Sequence, residues 1–176
     1  YKSGWNAKTI MWAGMGQGDI TVTPLQLCNL AASIANRGFF FTPHIHKNVD
    51  WAPLPSRFLT PRQTKVPSWV YAAVIDGMHL AVTKGTATVL KGTSYPVCGK
   101  TGTIENAGRD HSAFMGFAPM NEPKIAIAVY VEHGGFGADA AAPIAGLIME
   151  KYLKGKLSPK SQAMAKRLER INTVGR

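Results

Sequence analysis

The hydrophobic period of this chain changes near residue 92, and that change constrains the fold more than any other feature. Before it, apolar residues recur at helical spacing. Leu25, Leu27, Leu30, Ala31, Ile34 and Ala35 make one apolar face, and Val70, Tyr71, Val74, Ile75, Met78 and Leu80 make a second over about Ser68 to Val82. After it, three strands are predicted: Tyr95 to Glu105, Ser112 to Met120 and Lys124 to His133. The third is almost continuously apolar from Ile125 to Val131, which predicts cover on both faces. A last helix is predicted over 140–154, stopped by Gly155. Two helices, a three-stranded meander and a packing helix imply an α+β domain with one antiparallel sheet. The chain has 176 residues, 45% of them hydrophobic, which suffices for one core.

Local signals refine this reading. Thr23 is a plausible N-cap, with Pro24 at the first helical position and Gln26 completing a capping box; Gly38 ends that helix. Residues 14–18 read as a flexible glycine turn. Phe39 to Val49, restricted by Pro43, reads as an irregular or edge strand. Pro53, Pro55, Pro61 and Pro67 make 50–67 a connector. Thr86 to Lys91 can add a helical turn, and Pro159 to Ile171 can form a short basic helix with Met164, Leu168 and Ile171 on one stripe.

The net charge is +10, concentrated at one end. Lys151 to Arg176 carries +7, and residues 1–150 carry +3. Nucleic acid is therefore a weaker reading than a mildly basic body, 1–155, followed by a basic tail, 156–176, that is solvated and partly disordered or a short helix. No run approaches the roughly 20 apolar residues of a membrane span. The opening Tyr1-Lys2-Ser3-Gly4-Trp5 resembles mid-protein sequence, so a fragment is expected, with any export signal or anchor upstream. Cys28 and Cys98 are expected as free thiols, one in a helix and one in a strand.

The chemistry concentrates in Cys98-Gly99-Lys100-Thr101-Gly102-Thr103. On a strand, Lys100 points to one face and Thr101 and Thr103 to the other, while Gly102 presents bare backbone that another chain can approach. An ammonium, hydroxyls and backbone N–H groups at one strand edge suit binding a carboxylate and polarising an acyl carbonyl. A phosphate loop fits poorly: position 94 is Ser94 where the pattern needs glycine, and a strand follows where it needs a helix. Asp110-His111-Ser112 brings three triad residue types together, but adjacent side chains point apart. His44 and His46 have no third ligand at metal spacing. No metal or cofactor is expected.

Lys100-Thr101-Gly102-Thr103 resembles the third motif of serine penicillin-binding proteins and β-lactamases. Its surroundings extend the likeness over about residues 10–155. Gly14-Met15-Gly16-Gln17-Gly18 with Thr23-Pro24-Leu25-Gln26 is similar to a segment of class B penicillin-binding proteins. Asp76-Gly77-Met78, Gly85-Thr86-Ala87, Ala113 to Pro119 and Gly134-Gly135 fall where that family has its own versions. The elongation type is the nearest resemblance. It implies a partial penicillin-binding fold, about three antiparallel strands packed with helices, without the N-terminal strands and the nucleophile helix. The implied activity is peptidoglycan D,D-transpeptidation on stem peptides, with β-lactams as inhibitors and other cell-wall synthesis proteins as partners. The implied place is the outer face of the inner membrane. Lys100 would serve catalysis, and Thr101, Gly102 and Thr103 would bind substrate, with the Thr103 N–H in the oxyanion hole.

One departure limits the resemblance. The family's nucleophile motif is S-x-x-K and its second motif S-x-N, and no serine of this chain begins either. The nucleophile is therefore expected upstream of residue 1, and the chain alone is expected to be inactive. A non-catalytic binding or scaffolding module of the same fold, and a basic nucleic-acid binder, are the alternatives. If the N-terminal strands are missing, the edge of 124–133 is expected to be covered by another chain, a rearranged segment or a dimer.

Overall fold

The computed structural model describes residues 4, 6–18, 20–46 and 52–171. Expectations for 47–51 and for the last five residues lie outside that range. The element order is α1 (Ala7–Gly14), α2 (Pro24–Ala35), β1 (Phe39–Phe40), α3 (Ser56–Leu59), β2 (Arg62–Gln63), α4 (Ser68–Thr83), a 3-10 turn at Thr88–Leu90, β3 (Cys98–Ile104), β4 (His111–Ala118), β5 (Ile125–Val131), α5 (Ala141–Lys154) and α6 (Pro159–Leu168).

The α+β expectation holds. β3, β4 and β5 form an antiparallel sheet in that order, and β1 pairs separately with β2. In α2 the capping box forms as expected. The Thr23 N–H donates to Gln26 Oε1 at 2.8 Å, and the Gln26 N–H donates to Thr23 Oγ1 at 3.3 Å. The segment read as a plain connector holds both α3 and β2, because the chain folds Arg62–Gln63 back onto Phe39–Phe40. Helix α1 went unread. It buries no residue, so it carries no core-facing stripe, and its N-cap is the Asn6 side chain accepting from the Thr9 N–H at 3.0 Å.

Strand register sorts the core into two layers. Thr101, Phe114 and Val129 stand opposite one another, as do Thr103, Ser112 and Val131. That face packs on α5: Phe114, Ala118 and Ile127 share a buried cluster with Ala141, Ala142, Ala145 and Met149. The other face carries Cys98 and Phe117, which pack with Ile34 and Ala35 of α2 and Tyr71, Ile75 and Met78 of α4. β5 thus has a helix on each side, as its apolar run implies. Its residues are nevertheless mostly half-buried, and Tyr130 is 40% exposed, because the strand lies at the sheet edge. An apolar run reports covered faces, not a covered edge.

After β5, the glycine loop turns back across the α5 face. A Cβ on Gly137 would lie 2.6 Å from the Ala113 carbonyl oxygen, 2.7 Å from that of Gly102 and 2.8 Å from Thr101 Cβ. The loop is tied there by Ser112, which is buried, donates to the Phe136 carbonyl at 2.8 Å and accepts from the Ala141 N–H at 2.9 Å.

Within the basic tail, Pro159–Leu168 form α6, and Met164, Leu168 and Ile171 are half-buried. Its start is held by Glu150 of α5, which accepts from the Ser158 N–H at 3.1 Å. Hydrogen bonds from Ser161 and then Ser158 hold the Glu150 carboxyl below its ordinary pKa.

Two predictions follow from this packing. Gly137→Ala forces a Cβ into backbone and should destabilise the domain by about 1–3 kcal/mol in urea unfolding; a variant as stable as the parent would contradict the described seat of the loop. Because the folded-state pKa of Glu150 is depressed, its contribution is present above the unfolded pKa and is lost as pH falls through the folded one. Proteolysis within 160–170 should therefore accelerate on acidification in the parent. Glu150→Gln should cleave faster at neutral pH and lose most of that acid response.

Candidate active-site strand

β3 is the outermost strand of its sheet. One edge bonds to β4, and no strand bonds to the other among the described residues. Lys100 pairs with Met115 and Thr101 with Phe114, so the alternation expected of the motif is present. Lys100 is exposed, and its ammonium donates to the Thr101 carbonyl at 2.6 Å. Thr101, Gly102 and Thr103 are half-buried. The Thr101 hydroxyl lies 2.5 Å from the Thr86 hydroxyl, in the loop that leaves α4.

The two glycines of the motif differ in what the fold asks of them. A Cβ on Gly99 would sit 2.2 Å from Phe114 Cζ, a clash with the ring. A Cβ on Gly102 would meet only Ala113 Cβ, at 3.5 Å, an ordinary contact. Its φ is also outside the left-handed range. Packing within the chain therefore explains Gly99 and leaves Gly102 unexplained.

Helix α4 fastens the strand from behind. His79 Nδ1 lies 3.0 Å from the Val97 carbonyl; a carbonyl only accepts, so the ring nitrogen is the donor. Gly85 shapes the helix exit, since a Cβ there would come 2.8 Å from Ala81 Cα. Cys98 is fully buried beneath the motif. Burial above all, with Asp76 nearby, pushes its thiol up to about 12, and Arg37 only partly opposes this. Cys28 is half-buried and donates to the Ala126 carbonyl at 3.6 Å. Both thiols are free, as expected.

The other sequence candidates resolve into structural roles. His111 Nδ1 accepts from the His133 N–H at 3.0 Å, and Ser112 ties down the loop after β5, so Asp110-His111-Ser112 is not a triad. His133 holds a left-handed backbone, φ 52°, at the end of β5. The rings of His44 and His46 pack against Phe58, and no three His, Cys, Asp or Glu converge as metal ligands among the described residues. Sequence reading missed the partner of Thr101. The sequence places Thr86 in Gly85-Thr86-Ala87 and at the start of a short helical turn, and nothing in local spacing says that this loop reaches β3.

Comparison with known proteins places the whole chain, not the strand alone, in a family. Residues 2–150 match the family described as penicillin binding protein transpeptidase domain. The peptidoglycan D,D-transpeptidase MrdA of Haemophilus influenzae is 32% identical over 89% of this chain. PbpA of Mycolicibacterium smegmatis, also a peptidoglycan D,D-transpeptidase, is 34% identical over 79%. The crystal structure of Pseudomonas aeruginosa PBP2 superposes with a TM-score of 0.73 at 33% identity, covering 89% of this chain and 35% of that one. The imipenem acyl-enzyme of penicillin-binding protein A from M. tuberculosis gives a TM-score of 0.70 at 30% identity, over 85% and 35%. This chain belongs to the penicillin-binding protein transpeptidase family. It spans 28% of the length of the H. influenzae relative and 31% of the M. smegmatis one.

The burial of Cys98 yields a test of the strand's seat. With its pKa near 12 and no exposed surface, it should resist thiol reagents at neutral pH until the domain unfolds, while the half-buried Cys28 reacts first. Modification of Cys98 in the native state would show that β3 does not rest on α4 as described.

Proposed function

We propose that this chain contributes the substrate-binding wall of a peptidoglycan D,D-transpeptidase. The serine nucleophile and its lysine base would come from residues outside these 176. Thr101 and Thr103 bind the terminal carboxylate of a stem peptide or a β-lactam. The Thr103 N–H is one arm of the oxyanion hole, and Lys100 supports proton movement near the nucleophile. Placed at the edge of β3, these donors act on charge that develops as the acyl carbonyl is attacked, where fixed dipoles contribute most.

One observation carries the reading. A side chain at Gly102 would meet only Ala113 Cβ, at an ordinary 3.5 Å, so the fold itself needs no glycine there, and a ligand backbone lying along β3 accounts for it. Cell-wall partners fit the same reading, since the PBP2 of Helicobacter pylori, a structural neighbour, has been solved in complex with MreC. The site of action is the outer face of the cytoplasmic membrane, reached through a segment outside these residues. Among the described residues no helix is long and apolar enough to cross a membrane.

Fluorescent penicillin tests the proposal. The full-length protein containing this chain should be labelled covalently, and the isolated 176 residues should not. Labelling of the isolated chain would overturn the external nucleophile. In the full-length protein, Gly102→Ala should fold with unchanged thermal stability yet acylate roughly 100-fold more slowly, because a methyl displaces the ligand from attacking distance. A variant that acylates like the parent would remove the main support for this site.

A further inference from the structure

The pair of hydroxyls at 2.5 Å, Thr86 Oγ1 and Thr101 Oγ1, has two protons to place. One lies between the oxygens, and either residue can be its donor. If Thr101 donates to Thr86, Thr101 shows only lone pairs to an incoming anion. If Thr86 donates to Thr101, the Thr101 proton is free to point outward. A carboxylate is an acceptor only, so its arrival selects the second arrangement and completes a relay from Thr86 through Thr101 to the ligand. Each bond in such a chain polarises the next.

Thr86 is well placed for this work. It stands on the loop that ends α4. That loop is fixed by the Ala87 N–H donating to the Ala81 carbonyl at 2.9 Å and by the tight fit of Gly85 against Ala81. It is not on β3, it is exposed, and its hydroxyl meets that of Thr101. We propose that Thr86 is a positioning residue that orients the Thr101 hydroxyl as a donor to the carboxylate of substrate or β-lactam. This rests on the reading of Thr101 as a carboxylate binder. It assigns a specificity element to the α4–β3 connection, outside the Lys-Thr-Gly motif.

The test compares acylation of the full-length protein by a penicillin with acylation by the methyl ester of the same penicillin. Thr86→Val keeps the side-chain shape and removes the donor. It should lower the acid-to-ester ratio of acylation rates by roughly two- to tenfold, the effect of one hydrogen bond, and Thr86→Ser should restore the ratio. A merely structural role for Thr86 would slow acid and ester alike, leaving the ratio unchanged, and that outcome would overturn the proposal. Thr101→Val separates the two readings. If Thr101→Val lowers the ratio and Thr86→Val does not, the relay is wrong and carboxylate binding by Thr101 stands. If neither lowers it, the carboxylate role itself fails.

Discussion

Phe114 lies across the bare backbone of Gly99 and Gly116, its neighbours on two strands, and it is 2% exposed. Neither glycine can gain a Cβ without moving the ring. The contact therefore holds β3 and β4 in a single register and buries an aromatic side chain on the α5 face, a contribution of about 1.5–3 kcal/mol. A slip of one residue would turn Lys100 toward the packed α5 layer and Thr101 away from Thr86. The positions of all four motif residues follow from where this ring sits.

From that anchor the two faces of β3 take different tasks. Behind it, Cys98 joins the apolar layer made with α2 and α4, while His79 ties α4 to Val97 just before the motif and Thr86 ties the helix exit to Thr101 within it. Along the motif, groups that serve no apolar core accumulate: an exposed ammonium, half-buried hydroxyls and a glycine with room beside it. Among the described residues, a sheet that ends in such a strand leaves main-chain N–H and C=O groups unpaired along one edge, with the hydroxyls beside them.

Much of this was legible in the sequence because the signals are local. The capping box of Thr23 and Gln26, the apolar stripes of α2 and α4 and the meander after residue 92 each need only a dozen residues of context. The elements missed lacked a local signal. α1 has no buried face, and α3 and β2 exist because Arg62–Gln63 returns to Phe39–Phe40. The apolar run of β5 announced cover on both faces, which α2 and α5 supply, but could not tell an edge from an interior strand. Within the site, the alternation of Lys100 against Thr101 could be read from period alone. The contact between Thr86 and Thr101, and the difference between Gly99 and Gly102, depend on what the fold brings from residues 11 or more positions away.

The seat of Gly137 has a mechanical meaning. The backbone of this residue lies directly against the Gly102 carbonyl and Thr101 Cβ, with no side chain between them. Side chains cushion most sheet faces and can change rotamer under load, whereas two apposed backbones have almost no such compliance. Load on this part of β3 is thus passed directly to the glycine loop and not absorbed locally.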